Sequence, residues 1–157
     1  MRLQRGPHRA ERGQSLVEMT IGMVILLMIV MGILDLGRVY FTYLTLQDAA
    51  GEAALYLAVD PCCAYPESGA TGCTDPNNAK YRASYSADPG FAAAVNSPNG
   101  GFEATVADPL LLGSPITVSI YYPYQPITPL ISAIAPTIRL GATASNVVTL
   151  PAESCPS

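Results

Sequence analysis

Charge is scarce in this 157-residue chain, at 13% of residues against 50% apolar. Positive charge is scarcer still once the first thirteen positions are passed. Residues 14 to 157 hold four basic groups, Arg38, Lys80, Arg82 and Arg139, against eleven acidic ones, a formal charge of −7. Neutralising phosphates needs clustered Lys and Arg, so this balance argues against nucleic acid as a partner. Phosphate loops are lacking too: Gly69, Gly72, Gly100 and Gly101 fall in turns, without the Lys or the flanking strand and helix such a loop requires. The four cysteines, Cys62, Cys63, Cys73 and Cys155, lack the Cys-x-x-Cys or histidine pairing of a zinc site. Their even number suits disulfides in an oxidising compartment, with zinc and free thiols as the alternatives. Three pairings are open. A bridge from Cys62 or Cys63 to Cys73 closes a short loop, and the remaining cysteine then reaches Cys155.

Proline is missing between Gln14 and Asp60, and Pro61 supplies a firm stop. One helix of about 45 residues, roughly 68 Å long, is therefore expected. Within it Met19 to Leu34, MTIGMVILLMIVMGIL, carries no formal charge and is bounded by Glu18 and Asp35. Sixteen residues cover about 24 Å, and adding Leu16, Val17 and Leu36 gives a membrane span of about residues 16–36, close to the ~30 Å hydrocarbon core. A cleaved secretory signal is the plainer alternative. Against it, no small-x-small site follows until Ala49 and Ala50, and a helical pattern runs straight on through Leu36, Val39, Tyr43, Leu46, Ala50, Ala53 and Leu57. Arg38, Thr42, Thr45, Asp48 and Glu52 take the opposite face, which makes the extension amphipathic. Arg2, Arg5, Arg9 and Arg12 ahead of the span place the N-terminus in the cytoplasm and everything after about residue 38 outside.

Glu18 needs explaining, because an acid bordering an apolar run is costly in a bilayer and should have a partner. Interfacial water at a helix start is the simple answer, since the dipole there favours an acid. A sharper one comes from the stretch Arg12-Gly13-Gln14-Ser15-Leu16-Val17-Glu18, followed by the apolar run and Leu36-Gly37-Arg38. It resembles the TadE-like pseudopilins, minor pilins of the tight-adherence (Tad, or Flp) branch of type IV pili. The resemblance implies cleavage between Gly13 and Gln14 by a prepilin peptidase. It also implies that Glu18 guides assembly by pairing its carboxylate with the freed amine of a neighbouring subunit. Two positions depart from the family pattern: Met19 stands where an aromatic residue is common and Val24 where a proline is frequent. A mature Gln14 that cyclised would lose the amine.

The only histidine, His8, lies in the segment expected to be removed, which excludes a histidine-dependent triad and most metal hydrolases. No enzyme activity, metal or cofactor is expected, and no small-molecule substrate.

Residues 60–75, DPCCAYPESGATGCTD, read as a cysteine-pinned loop. Asp75-Pro76 signals a short helix over 76–86, and Asp88-Pro89 another through Val95. Asn96 to Gly101 form a turn, after which the period becomes two: Phe102, Ala104 and Val106, then Ile116, Val118 and Ile120, are the buried faces of two strands. A third strand is expected from about Thr137 through Leu150, with Ile138, Leu140, Ala142 and Ala144 inward. Pro123, Pro126, Pro129 and Pro136 forbid a continuous strand between, and the resemblance places a short apolar helix there.

The expected architecture is α+β: a leader over 1–13, a long helix over 14–59 and an exported head over 60–157 whose small antiparallel sheet packs on the helix, as in pilins. The expected location is the cytoplasmic membrane, single-pass, extending to an extracellular pilus. The expected partners are membrane lipid, prepilin peptidase, other Tad pilins and pseudopilins, and pilus assembly platform proteins. A membrane-tethered extracytoplasmic binding domain that never enters a filament is the alternative.

Overall fold

The computed structural model describes residues 10–66, 72–85, 89–107 and 110–150. Arg2, Arg5, Arg9, His8, Gly69, Asp88 and Cys155 lie outside the described residues. Helix α1 runs from Ala10 to Val59, 50 residues and about 75 Å. It begins ahead of Gln14 because nothing at Arg12-Gly13 breaks it; a helical glycine costs only about 1 kcal/mol relative to alanine. It ends where Pro61 bars the helical conformation at Asp60, whose N–H still donates to the Tyr56 carbonyl at 2.9 Å.

Strands β1 (Gly101–Val106), β2 (Pro115–Tyr124) and β3 (Ile138–Val147) form an antiparallel sheet in the order β1-β2-β3. The register sets Phe102, Ile120 and Ala142 in one row, and Ala104, Val118 and Ala144 in the next. On the inner face Ile116, Val118 and Ile120 are fully buried against Leu46, Ala49, Ala50, Ala53 and Leu57 of α1. Alanine at 49, 50, 53, 54 and 58 gives the helix a flat flank, so the sheet lies close and its branched side chains fill the gap. The outer face is hydroxyl-rich, with Ser119 and Thr143 Oγ atoms 3.0 Å apart across the strands. Tyr121 lies across Gly141, where an added Cβ would stand 3.1 Å from its ring, and Arg139 stacks 4.0 Å above that ring.

Pro123 sits inside β2, contrary to the expectation that it ends the strand. β1 stops opposite Tyr121, so β2 has only β3 beside it at Pro123, and an edge-like position tolerates a missing N–H. β3 ends at Val147 rather than Leu150, because Thr149 turns to donate both its N–H (2.8 Å) and its hydroxyl (2.7 Å) to the Ala58 carbonyl. The end of the sheet thereby caps the end of α1.

Helices α2 (Ala79–Tyr85), α3 (Pro89–Val95) and α4 (Pro129–Ile134) complete the head. α2 starts three residues after Pro76. Asn78 is the capping residue, its Oδ1 accepting from the Tyr81 N–H at 2.7 Å while its Nδ2 donates to Asp75 at 2.6 Å. Ala79 and Ala83 are buried against α1, and Phe91 of α3 stacks on Tyr122 with ring centroids 5.5 Å apart.

Candidate functional site

Three features of α1 stand out: its N-terminal tip, its bare inner half, and the place where the head takes hold of it. At the tip Gly13, Gln14 and Glu18 are all exposed, and a Cβ at Gly13 would meet nothing within 4 Å. Gln14 and Glu18 are one turn apart, so they share a face, and the Gln14 amide lies 3.4 Å from the Glu18 carboxylate. The Gly13–Gln14 bond is itself within the helix.

From Gly13 to Leu34 every position but the half-buried Gly32 is exposed, and exposure among the large apolar residues runs from 43% at Met31 to 70% at Met19. The sixteen positions from Met19 to Leu34 carry no charge on any side and rise about 24 Å, and Leu16 and Val17 beyond Glu18 lengthen the apolar stretch toward the ~30 Å of a hydrocarbon core. A helix greasy all round belongs in a core or a membrane. Here no core surrounds it; the helix is long and apolar enough to cross a bilayer.

The head closes on α1 at Asp35, which is 4% exposed. Its Oδ1 accepts from the Ile127 N–H at 3.0 Å and its Oδ2 from the Thr128 N–H at 2.7 Å. The Tyr124 hydroxyl, at the end of β2, lies 3.3 Å from Oδ1 and 3.2 Å from the Asp35 carbonyl. Burial, and next the Asp35 charge, push the Tyr124 phenol above its usual range, so it remains a donor. Hydrogen bonds to a charged acceptor are worth about 1.5–3 kcal/mol each, which offsets the desolvation of the carboxylate.

Asp35 sets the rotation of the helix. The face turned to the head is Asp35, Val39, Thr42, Leu46, Ala49 and Ala53, and the expected inward positions Leu36 and Tyr43 point outward, at 70% and 39% exposure. Thr42 and Thr45, expected outward, are half-buried. Leu36, Tyr40, Phe41 and Leu44 instead extend the apolar surface of the inner half along the back of the outer half.

Beyond α1, Cys63 and Cys73 are bridged, with Cα atoms 5.1 Å apart, and Cys62 is disulfide-bonded as well. The loop leads directly into α2, as the Ala79 N–H donates to the Cys63 carbonyl at 2.9 Å and the Lys80 N–H to Ala64 at 3.1 Å. Tyr65 in the same loop reaches the free edge of β1, its hydroxyl 3.4 Å from both the Phe102 carbonyl and the Ala104 N–H. Among the described residues no three His, Cys, Asp or Glu side chains come together as a metal site would require.

Sequence reasoning singled out Glu18 but treated Asp35 only as the far boundary of the apolar run. The same signal was present at both, an acid bordering a greasy segment and in need of donors.

Residues 13–55 match the model of a family described as TadE-like protein. The matched segment covers the tip, the bare half, Asp35 and most of the packed half of α1, and stops short of the sheet. No curated protein and no solved structure matches the chain.

Proposed function

Proceeding from a chain whose residues 13–55 match the TadE-like family, we propose that it is associated with the Tad pilus as a minor pilin or pseudopilin subunit. In this reading a prepilin peptidase cuts between Gly13 and Gln14, and the product assembles with other pilins through α1. The observation that carries the reading is the bare apolar length from Met19 to Leu34, preceded by an exposed glycine at Gly13, with Glu18 one turn beyond Gln14.

The chemistry is coherent with that arrangement. A protease needs its substrate extended, and glycine lowers the cost of unwinding the helix at Gly13 while presenting no side chain to obstruct approach. Cleavage creates an α-ammonium at Gln14, on the end of the helix where the macrodipole disfavours a cation and favours the Glu18 carboxylate. In apolar surroundings both charges need a partner, and a neighbouring subunit supplies each with the opposite one. The exposed stripe from Leu36 to Leu44 offers that neighbour an apolar seat continuous with the membrane segment.

N-terminal sequencing of the membrane-extracted product tests this: it should begin QSLVE. An intact N-terminus would reject processing and leave a tethered domain that stays out of filaments. Glu18→Ala is expected to leave cleavage intact and to deplete the subunit from sheared surface fibres; undiminished incorporation would remove the pairing step.

A further inference from the structure

Between α1, the C-terminal end of α3 and the loop after β2 lies an open cleft of about 650 Å³, lined by Arg38, Thr42, Ser97, Tyr122, Tyr124 and Gln125. Its lining mixes hydroxyl and amide groups with one full charge, the Arg38 guanidinium. Arg38 stands 5.8 Å from the centroid of the Tyr124 ring, and among the described residues it has no ion pair. Asp35, the acid nearest in sequence, is turned into the head and engaged by Ile127, Thr128 and Tyr124. The Ser97 and Tyr124 hydroxyls are spent on the Ala94 carbonyl and on Asp35. The cleft therefore presents the Arg38 cation with the Thr42 hydroxyl and the Gln125 amide and, among the described residues, no carboxylate in its lining, which is the chemistry of an anion site.

Its height along α1 says which anion. Arg38 is four residues past Leu34, the last residue of the bare segment, or about 6 Å further along the axis. With that segment in hydrocarbon, Arg38 sits at the level of headgroup phosphates. Tyr40 and Phe41, 64% and 72% exposed on the far side of the helix, occupy the same level, as aromatic residues of membrane interfaces do.

We propose that this cleft binds the phosphate of a membrane phospholipid from the leaflet the head faces, with Arg38 as the principal ligand. Arg38 forks onto the phosphodiester oxygens, and the hydroxyl of Thr42 and the amide of Gln125 complete the polar lining. The site rests on the reading of Gly13 to Leu34 as a membrane segment. A bound headgroup there would fix how deep the head rides over the bilayer.

The test uses the full chain in nanodiscs of phosphatidylcholine with phosphatidylglycerol, followed by detergent extraction and native mass spectrometry of retained phospholipid. Wild type and Arg139→Gln, a surface control, are expected to retain a phospholipid. Arg38→Gln should retain it at least about tenfold less, the loss of one charge-assisted contact, with Arg38→Lys in between. Equal retention by Arg38→Gln overturns the site. Displacement of the lipid by millimolar inorganic phosphate also overturns it, by showing that a free anion is the ligand. Alkaline carbonate extraction separates the two readings: a chain that stays in the pellet yet retains no lipid refutes the cleft alone, and a chain that is released refutes the membrane segment with it.

Discussion

The two halves of α1 are both apolar, yet one is bare and the other is packed. From Gly13 to Leu34 the side chains are mostly Met, Ile, Leu and Val and stay exposed; from Asp35 to Val59 one face is lined by Ala49, Ala50, Ala53, Ala54 and Ala58 and covered by the sheet. Hydrophobicity alone does not separate them. Side-chain size and the position of one carboxylate do. Small residues let a sheet approach closely enough to exclude water, whereas a ring of long residues suits a fluid or a repeating neighbour. Asp35 marks the changeover, because a buried charge needs fixed donors and only the head provides them.

Substitutions can break that contrast. The largest effect is expected from Leu46→Ala, which removes a fully buried side chain and should lower head stability by about 2–5 kcal/mol in urea unfolding. Leu26→Ala, on the bare half at 60% exposure, should leave the same midpoint unchanged. An equal shift from both would mean the halves share one core. Next comes Asp35→Ala, which strands the Ile127 and Thr128 N–H groups and should cost about 2–4 kcal/mol. Amide exchange at those two positions should rise with it, and protection that survives would show that the loop holds without the carboxylate. The smallest is Tyr124→Phe, at about 0.5–1.5 kcal/mol, since it deletes one donor and keeps the ring packed. A loss as large as that of Asp35→Ala would move the weight of the junction from the amides to the phenol.

Much of this was legible in the sequence, and for identifiable reasons. The long helix follows from the absence of proline up to Asp60. The three strands follow from period-two alternation at Phe102, Ile116 and Ile138, where local pattern and tertiary burial agree. What escaped depended on partners distant in sequence. The register of the packed face is set by Asp35 meeting residues about ninety positions away, so Leu36 and Tyr43 looked inward by spacing alone. Pro123 fits within β2 because β1 is short, a fact about its neighbour. The start of α2 is decided by Asn78 reaching back to Asp75, where Asp-Pro seemed the stronger signal.

Two of the groups that hold Asp35 are main-chain amides, beside the Tyr124 hydroxyl, and that has an evolutionary corollary. Ile127 and Thr128 lie between Pro126 and Pro129, so the two N–H groups occupy a window bounded by residues that have none to offer. Within this window the exposed Ile127 is free to change its side chain, provided it does not become proline, whereas Thr128 is buried and constrained by its packing. The chain can therefore redecorate the rim of its head without loosening the head from its stalk.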